Sequence, residues 1–391
     1  MSDPTDASAA PPPPPPPPPS SAIRHETEDT STYPCGSCGA QLVFDPKSQM
    51  LRCPSCGNEQ EVVAGARETR EQDFRAAVAA LKAQAITTGP QITGEKEVVC
   101  QSCGGHTTFT GTLTSTRCPY CATPIQRDDV HDAPARLPVD GVLPFKIDEK
   151  SSRESIEKWI NSRRFAPSEF KKYKQVGSFA SVYAAYFTYD VEAETTYVGR
   201  RGEEYTVTVG SGDNKRTETR VRWYPASGEV QNSFDDLCVL ANDGFQRDKV
   251  VKLEPWPTAD AKPFSPEFVA GHLARTYDND VEACFPEASD RMESEIDQTV
   301  RRDIGGDRQE VFHKRTDYRS LTFKHLLLPI WLLTVVYQGR PFQVFINGVT
   351  GEVQGQRPWS KVKLGILIAA IVVIIAVIAI AVAANGGDQG T

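Results

Sequence analysis

The 391-residue chain has no excess of positive charge: 43 Lys and Arg stand against 51 Asp and Glu, a net charge of -8. A general attraction to nucleic acid is therefore not expected. Phosphate-cradling and catalytic signatures are missing too. There is no G-x-x-x-x-G-K-[ST] loop, since Gly210-Ser211-Gly212-Asp213-Asn214-Lys215 matches it only superficially. No G-x-S-x-G elbow, H-E-x-x-H helix or G-x-G-x-x-G turn occurs. The six histidines are scattered, and the acidic clusters at 278–282 and 293–297 read as solvated helix faces. No catalytic or cofactor-binding residue emerges, and the chain reads as a non-enzyme. Residues 1–10 lack a basic start and an apolar core, so a secretory leader is not expected.

What is present is one cysteine spacing, twice. Cys35 and Cys38 are followed after fourteen residues by Cys53 and Cys56, and Cys100 and Cys103 after fourteen by Cys118 and Cys121. C-x2-C-x14-C-x2-C is close to the four-thiolate zinc pattern, so Zn2+, two per chain, is the expected cofactor. Two residues between thiols let a tight turn aim both sulfurs at one ion. Glycine relieves that turn at Gly39, Gly57 and Gly104, with Ala122 the exception. The copies also match at Phe44 and Phe109, Arg52 and Arg117, Pro54 and Pro119, as a duplicated zinc ribbon would. Two other readings of the thiols exist. Disulfides would suit a secreted domain, and a zinc-linked redox switch remains an alternative. Cys238 and Cys284 are expected to be buried filler. His106 stays outside the ligand set, because four cysteines already complete a tetrahedron.

At the other end, Leu364 to Ala384 carries no charge over 21 residues. A helix of that length spans roughly 30 Å, the hydrocarbon thickness of a bilayer. Arg357, Lys361 and Lys363 precede it and only Asp388 follows. A single-pass, C-terminally anchored membrane protein is therefore expected, with the bulk of the chain cytoplasmic and a short C-terminus outside.

The expected fold is α+β: two tandem four-cysteine ribbons, a mixed β-rich domain and one transmembrane helix. The divisions are a proline-rich disordered tail (1–32), ribbon 1 (33–65), an amphipathic helix and linker (66–90), ribbon 2 (98–126), an α+β domain (133–357) and the membrane helix (364–384). Nine consecutive prolines, Pro11 to Pro19, should form a polyproline II rod in the tail. A helix is expected at 151–164, strands over 176–197, 204–209 and 217–224, and a turn with a short strand at 227–231. A helical region should open at Ser265-Pro266-Glu267, with Phe268, Val269, Leu273 and Tyr277 on one face. A second helix is expected to carry Met292, Ile296, Val300 and Ile304, followed by strands over 326–337 and 342–346. Gly-Glu-Val-Gln occurs at 228–231 and 351–354, suggesting a duplicated β-meander. Nucleic acid is disfavoured as a ribbon ligand: residues 34–131 hold nine basic and ten acidic side chains, with no basic stripe carrying interleaved aromatics.

Cys35-Gly36-Ser37-Cys38-Gly39-Ala40, the second ribbon, Gly141-Val142-Leu143-Pro144-Phe145 and Leu327-Leu328-Pro329-Ile330-Trp331, in this order, resemble a bacterial family. Its members are labelled TFIIB-type zinc-ribbon or primosomal-helicase-like proteins and include the YdjG type. The resemblance covers roughly residues 33 to 385. It implies a membrane component with protein partners of the phage-shock or flotillin-like kind, acting as an adaptor in envelope-stress homeostasis. The helicase label does not suit a chain without a nucleotide-binding motif. A membrane-tethered nucleic-acid-binding regulator is the alternative function.

Overall fold

A computed structural model describes residues 30–31, 33–63, 65, 68–88, 95–99, 106–110, 113–117, 124–127, 137–163, 166–167, 178–211, 215–243, 245–337, 340–356 and 360–386. Residues 1–29 of the expected tail lie outside them, whereas Thr30–Ser31 form a short strand paired with Gln126 and Arg127, a correction to the disordered tail. In chain order, β1 (Val43–Asp45), β2 (Met50–Arg52) and β3 (Glu59–Gln60) form a small antiparallel sheet. β4 (Gln72–Asp73) runs into α1 (Phe74–Thr88). β5 (Glu95–Val99) and β6 (His106–Thr110) pair with each other. β7 (Leu113–Arg117), β8 (Pro124–Arg127) and β9 (Gly141–Val142) precede α2 (Glu149–Ser162). Two long strands follow, β10 (Ser178–Val209) and β11 (Arg216–Leu240), then β12 (Leu273–Arg275) and α3 (Val281–Ile304). The remainder is β13 (Arg308–Tyr337), β14 (Arg340–Asn347), β15 (Val353–Gly355) and α4 (Lys361–Gly386).

One 12-stranded sheet dominates, with β10 at its centre between β11 and β13. The short strands β4, β7, β9, β12 and β14 attach along one half of it. That half is the core. Tyr183, Phe187, Tyr189, Phe323, Leu327 and Phe345 are all essentially inaccessible. The other half, beyond about residue 192, is an arm of three strands. A strand of 32 residues spans about 100 Å at ~3.3 Å per residue, several times a usual strand. One face of the arm is covered by α3, whose buried Cys284, Ala288, Met292, Ile296, Val300 and Ile304 recur at helical spacing. Asp280 caps this helix by accepting from Ala283 N at 2.8 Å. Gly305, at φ +68, ends it.

The architecture corrects the α+β reading. This is a β-rich molecule built on one large sheet, and the strands of the second ribbon region, β7 and β8, belong to that sheet. No turn breaks the chain at residues 227–231; β11 runs straight through Ser227 and Gly228. Gly228 is required there by close approach, because a Cβ would lie 2.8 Å from the Tyr197 hydroxyl and 2.9 Å from Asp303 Oδ2. Gly351, in the second Gly-Glu-Val-Gln, instead sits in a left-handed turn at φ +79. The helix expected from Ser265 is only a four-residue 3-10 turn, Pro266–Val269, followed by strand β12. Its apolar spacing serves a strand that pairs between β7 and β10.

The membrane expectation is also corrected. Among the described residues, no helix is long and apolar enough to cross a membrane. Residues 361–386 do form helix α4, and Ile371, Val372, Ile375 and Ile378 on it are exposed. The single-pass anchor, the tail-anchored topology and the inside–outside assignment all rested on that span.

Candidate metal centre

The pairs Cys35–Cys38 and Cys53–Cys56 each open a tight turn with the same bonding. Cys35 N donates to Ala40 O (2.7 Å) and Gly39 N to Cys35 O (2.8 Å). Cys53 N donates to Asn58 O (2.8 Å) and Gly57 N to Cys53 O (3.0 Å). Gly39 and Gly57 take φ of +73° and +76°, a conformation that costs a side-chain-bearing residue about 1–2 kcal/mol. β1 and β2 hold the two turns side by side, with Val43 opposite Arg52 and Asp45 opposite Met50.

The four sulfurs of Cys35, Cys38, Cys53 and Cys56 converge and can hold a metal ion. Cys35 Sγ lies 3.6 Å from Cys56 Sγ, and Cys38 Sγ 3.5 Å from Cys53 Sγ. A tetrahedral site with metal–sulfur bonds of about 2.3 Å requires sulfurs roughly 3.8 Å apart, so the set fits. Cys35 and Cys53 are buried, while Cys38 and Cys56 face solvent. The thiols divide electrostatically. The N–H groups of Ser37 and Cys38 draw Cys35 down to about 6. The N–H groups of Cys56 and Ser55 lower Cys53 against its burial. Cys56 is pulled down by the Asn58 N–H, yet its three sulfur neighbours outweigh that and push it up to about 12. Neighbouring thiolates oppose one another's ionisation here, and a bound divalent ion would offset that repulsion.

The ribbon is stitched to the large domain. Phe44 N donates to Ala270 O (3.0 Å), and the Phe44 ring meets Phe268 edge-on at 5.6 Å. Gln49 Nε2 donates to Phe145 O at 2.7 Å, and Lys47 pairs with Asp148 at 2.8 Å. Leu42, Phe44 and Leu51 are at most 2% exposed and belong to the main core. The expected strand–turn–strand is present. Its docking contacts came as no part of the sequence reading, because Phe145 and Ala270 are remote in the chain and nothing in their spacing points to the ribbon.

Cys100, Cys103, Cys118 and Cys121 lie outside the described residues, so one four-cysteine centre is seen. His106 stands at the start of β6. Cys238 and Cys284 are buried as expected, at 5% and 3% exposure, and burial pushes both thiols up, Cys284 to about 12. They are structural thiols in the reduced state.

The chain is similar to a Bacillus subtilis (strain 168) protein, the uncharacterized protein YdjG. The two are 24% identical over 336 residues, which covers 85% of this chain and 92% of YdjG. No family model matches. No solved structure matches. The likeness to YdjG thus agrees with the resemblance read from the sequence, while a TFIIB-type zinc-ribbon family has no match behind it.

Proposed function

We propose that this protein is a non-catalytic scaffold in which a zinc ribbon, held by Cys35, Cys38, Cys53 and Cys56, fixes one end of a long sheet that presents partner-binding surface. The observation that carries the reading is the docking of the cysteine cluster's own hydrophobic side onto the core. A metal there is enclosed by two buried and two exposed thiolates and serves to hold a module in place, as four-cysteine sites without an open position do. Zinc suits four thiolates better than hard cations do. The Arg-flanked aromatics of the arm support a protein-recognition role. Arg200 lies 4.3 Å from the Trp223 ring, and Arg222 lies 5.1 Å from the Tyr205 ring. Trp, Tyr and Arg are the residues that dominate protein interfaces. Arg200 pairs with Glu310, Arg220 with Glu218 and Arg308 with Glu204, which leaves little of the arm's positive charge for phosphates.

Two measurements test the reading together. Metal analysis of the purified chain should return zinc, and Cys38→Ser should lower it by one equivalent. Affinity capture with the intact chain should retain proteins, phage-shock-type and flotillin-like ones being the candidates, and removal of residues 203–222 should release them. Capture of nuclease-sensitive nucleic acid instead would replace the scaffold with a nucleic-acid-binding regulator.

A further inference from the structure

A second polar centre lies inside the sheet, at the junction of core and arm. There both neighbours of β10 carry an irregularity. The register with β11 shifts between Tyr189 and Val191, and that with β13 between Asp190 and Glu192. The shifts bring Asp190 of β10, Asp235 and Asp236 of β11, and Lys324 of β13 together, with Glu71 beside them from the segment leading into β4. Carboxylate oxygens of the three aspartates lie within 4.8 Å of one another. Lys324 Nζ is 2.6 Å from Asp236 Oδ1 and 3.7 Å from both Asp190 Oδ2 and Glu71 Oε1. Three carboxylates thus face one ammonium, with the exposed Asp235 adjoining them, an excess of negative charge at a place only partly reached by water.

Three oxygens here lack a hydrogen bond, one of them Asp236 Oδ1, which is ion-paired with Lys324. Asp190 is 9% exposed; its Oδ1 accepts from Asp236 N at 2.6 Å, but its Oδ2 makes no hydrogen bond. Thr188 is fully buried, shares a strand face with Asp190 and stands directly opposite Lys324, and its hydroxyl has no hydrogen-bond partner among the described residues. A buried hydroxyl without a partner is costly, about 1–3 kcal/mol, and such groups ask for an explanation. A cation among these oxygens supplies one.

We propose that Asp190, Asp235 and Asp236, with Glu71 and the Thr188 hydroxyl at its margin, form a site for a hard divalent cation, Ca2+ by size, for which the Lys324 ammonium competes. Oxygen donors without nitrogen or sulfur select Ca2+ or Mg2+. Ca2+ binds oxygens at 2.3–2.6 Å, so ligands on opposite sides of it stand up to about 5 Å apart, and the whole 4.8 Å spread is accepted without movement. Mg2+, at about 2.1 Å, accepts only oxygens within about 4.2 Å and demands octahedral order. Lys324, on a flexible stem but with its side chain only 14% exposed, is the group the cation must displace. The site is separate from the cysteine cluster, and its test does not depend on zinc.

Calorimetric titration of CaCl2 into the full-length, zinc-loaded chain in chelator-treated buffer decides the matter. One Ca2+ should bind with an apparent Kd on the order of 10-4 M, and MgCl2 should bind at least tenfold more weakly. Lys324→Gln should tighten Ca2+ binding at least tenfold, whereas Asp190→Asn and the exposed Asp235→Asn should each weaken it at least tenfold. Glu295→Gln, at an exposed position of α3, should leave it unchanged. If Asp190→Asn fails to fold, Asp235→Asn and Lys324→Gln still decide. Equal isotherms for these variants and the unaltered chain, or no saturable binding, would reduce the cluster to an ion-paired brace.

Discussion

Asp190 shows how one side chain reports on its surroundings. Burial is the largest influence on its carboxyl, and with the negative charges of Asp236 and Glu71 it outweighs the pull of the Asp236 N–H and the Lys324 ammonium, raising it from 3.8 to about 6. The folded state therefore holds this proton more tightly than the unfolded state. The stability gained from protonation is fully present below the unfolded value and is lost as pH rises through about 6. Without divalent ions, urea midpoints of the unaltered chain should gain on those of Asp190→Asn as pH falls from 7.5 to 4.5; a constant difference would contradict the shift. Gly271 is the residue on which ribbon docking turns. Its φ is +82, and a Cβ there would stand 2.8 Å from Val43 Cγ1 in β1. Gly271→Ala should cost about 1–3 kcal/mol from the left-handed conformation and the contact together, measured as a fall in unfolding free energy. The zinc content should stay unchanged, since none of the metal-binding turns is touched.

At the scale of elements, the ribbon couples a metal to a core. Phe44 is 2% exposed and contacts both Phe268 and His272, so Phe44→Ala should cost about 3–5 kcal/mol. Chelation should strip hydrogen-exchange protection from residues 33–63 while the central pair β10–β13 stays protected. Metal binding supplies folding energy to a short module whose own sheet has only strands of two or three residues. Simultaneous loss of protection in both would show the core itself to depend on the ion. These elements also mark what the chain discloses before it folds. The cysteine spacing and its glycines are local, and the two turns formed where the motif placed them. α3 was legible for the same reason, because Met292, Ile296, Val300 and Ile304 repeat every four residues. Gly228 misled, since a glycine after serine reads as a turn, whereas here it makes room for Tyr197. Phe268 and Leu273 misled as well, as their helical spacing is shared by a 3-10 turn and a short strand. The aspartate–lysine centre was invisible: Asp190, Asp236 and Lys324 meet only because two register shifts bring three strands into phase.

For the molecule as a whole, the sheet is too long for the core it encloses. β13 begins opposite Gly202, and α3 ends at Ile304, so the hairpin beyond these points has two strands and no covering layer among the described residues. Glu203, Glu204, Arg216, Arg220 and Arg222 on it are exposed, and Tyr205 is 39% exposed. An isolated two-stranded hairpin is marginally stable in water. This one is held by its continuity with the three-stranded part below and by pairs such as Arg308–Glu204. Because it buries no member of the main core, replacing residues 203–222 with an Asn-Gly turn should leave the thermal midpoint of the domain within a few degrees of its original value. Truncation lower down should behave differently. Tyr197 is 5% exposed and its hydroxyl bonds to Asp303 at 2.5 Å, so a cut that removes it exposes the underside of α3 and should collapse the midpoint. Melting curves of the two truncations therefore locate the boundary between the structural and the presented parts of the sheet. If the short truncation melted as early as the long one, the tip would be part of the fold, and the scaffold reading would need a different surface for its partners.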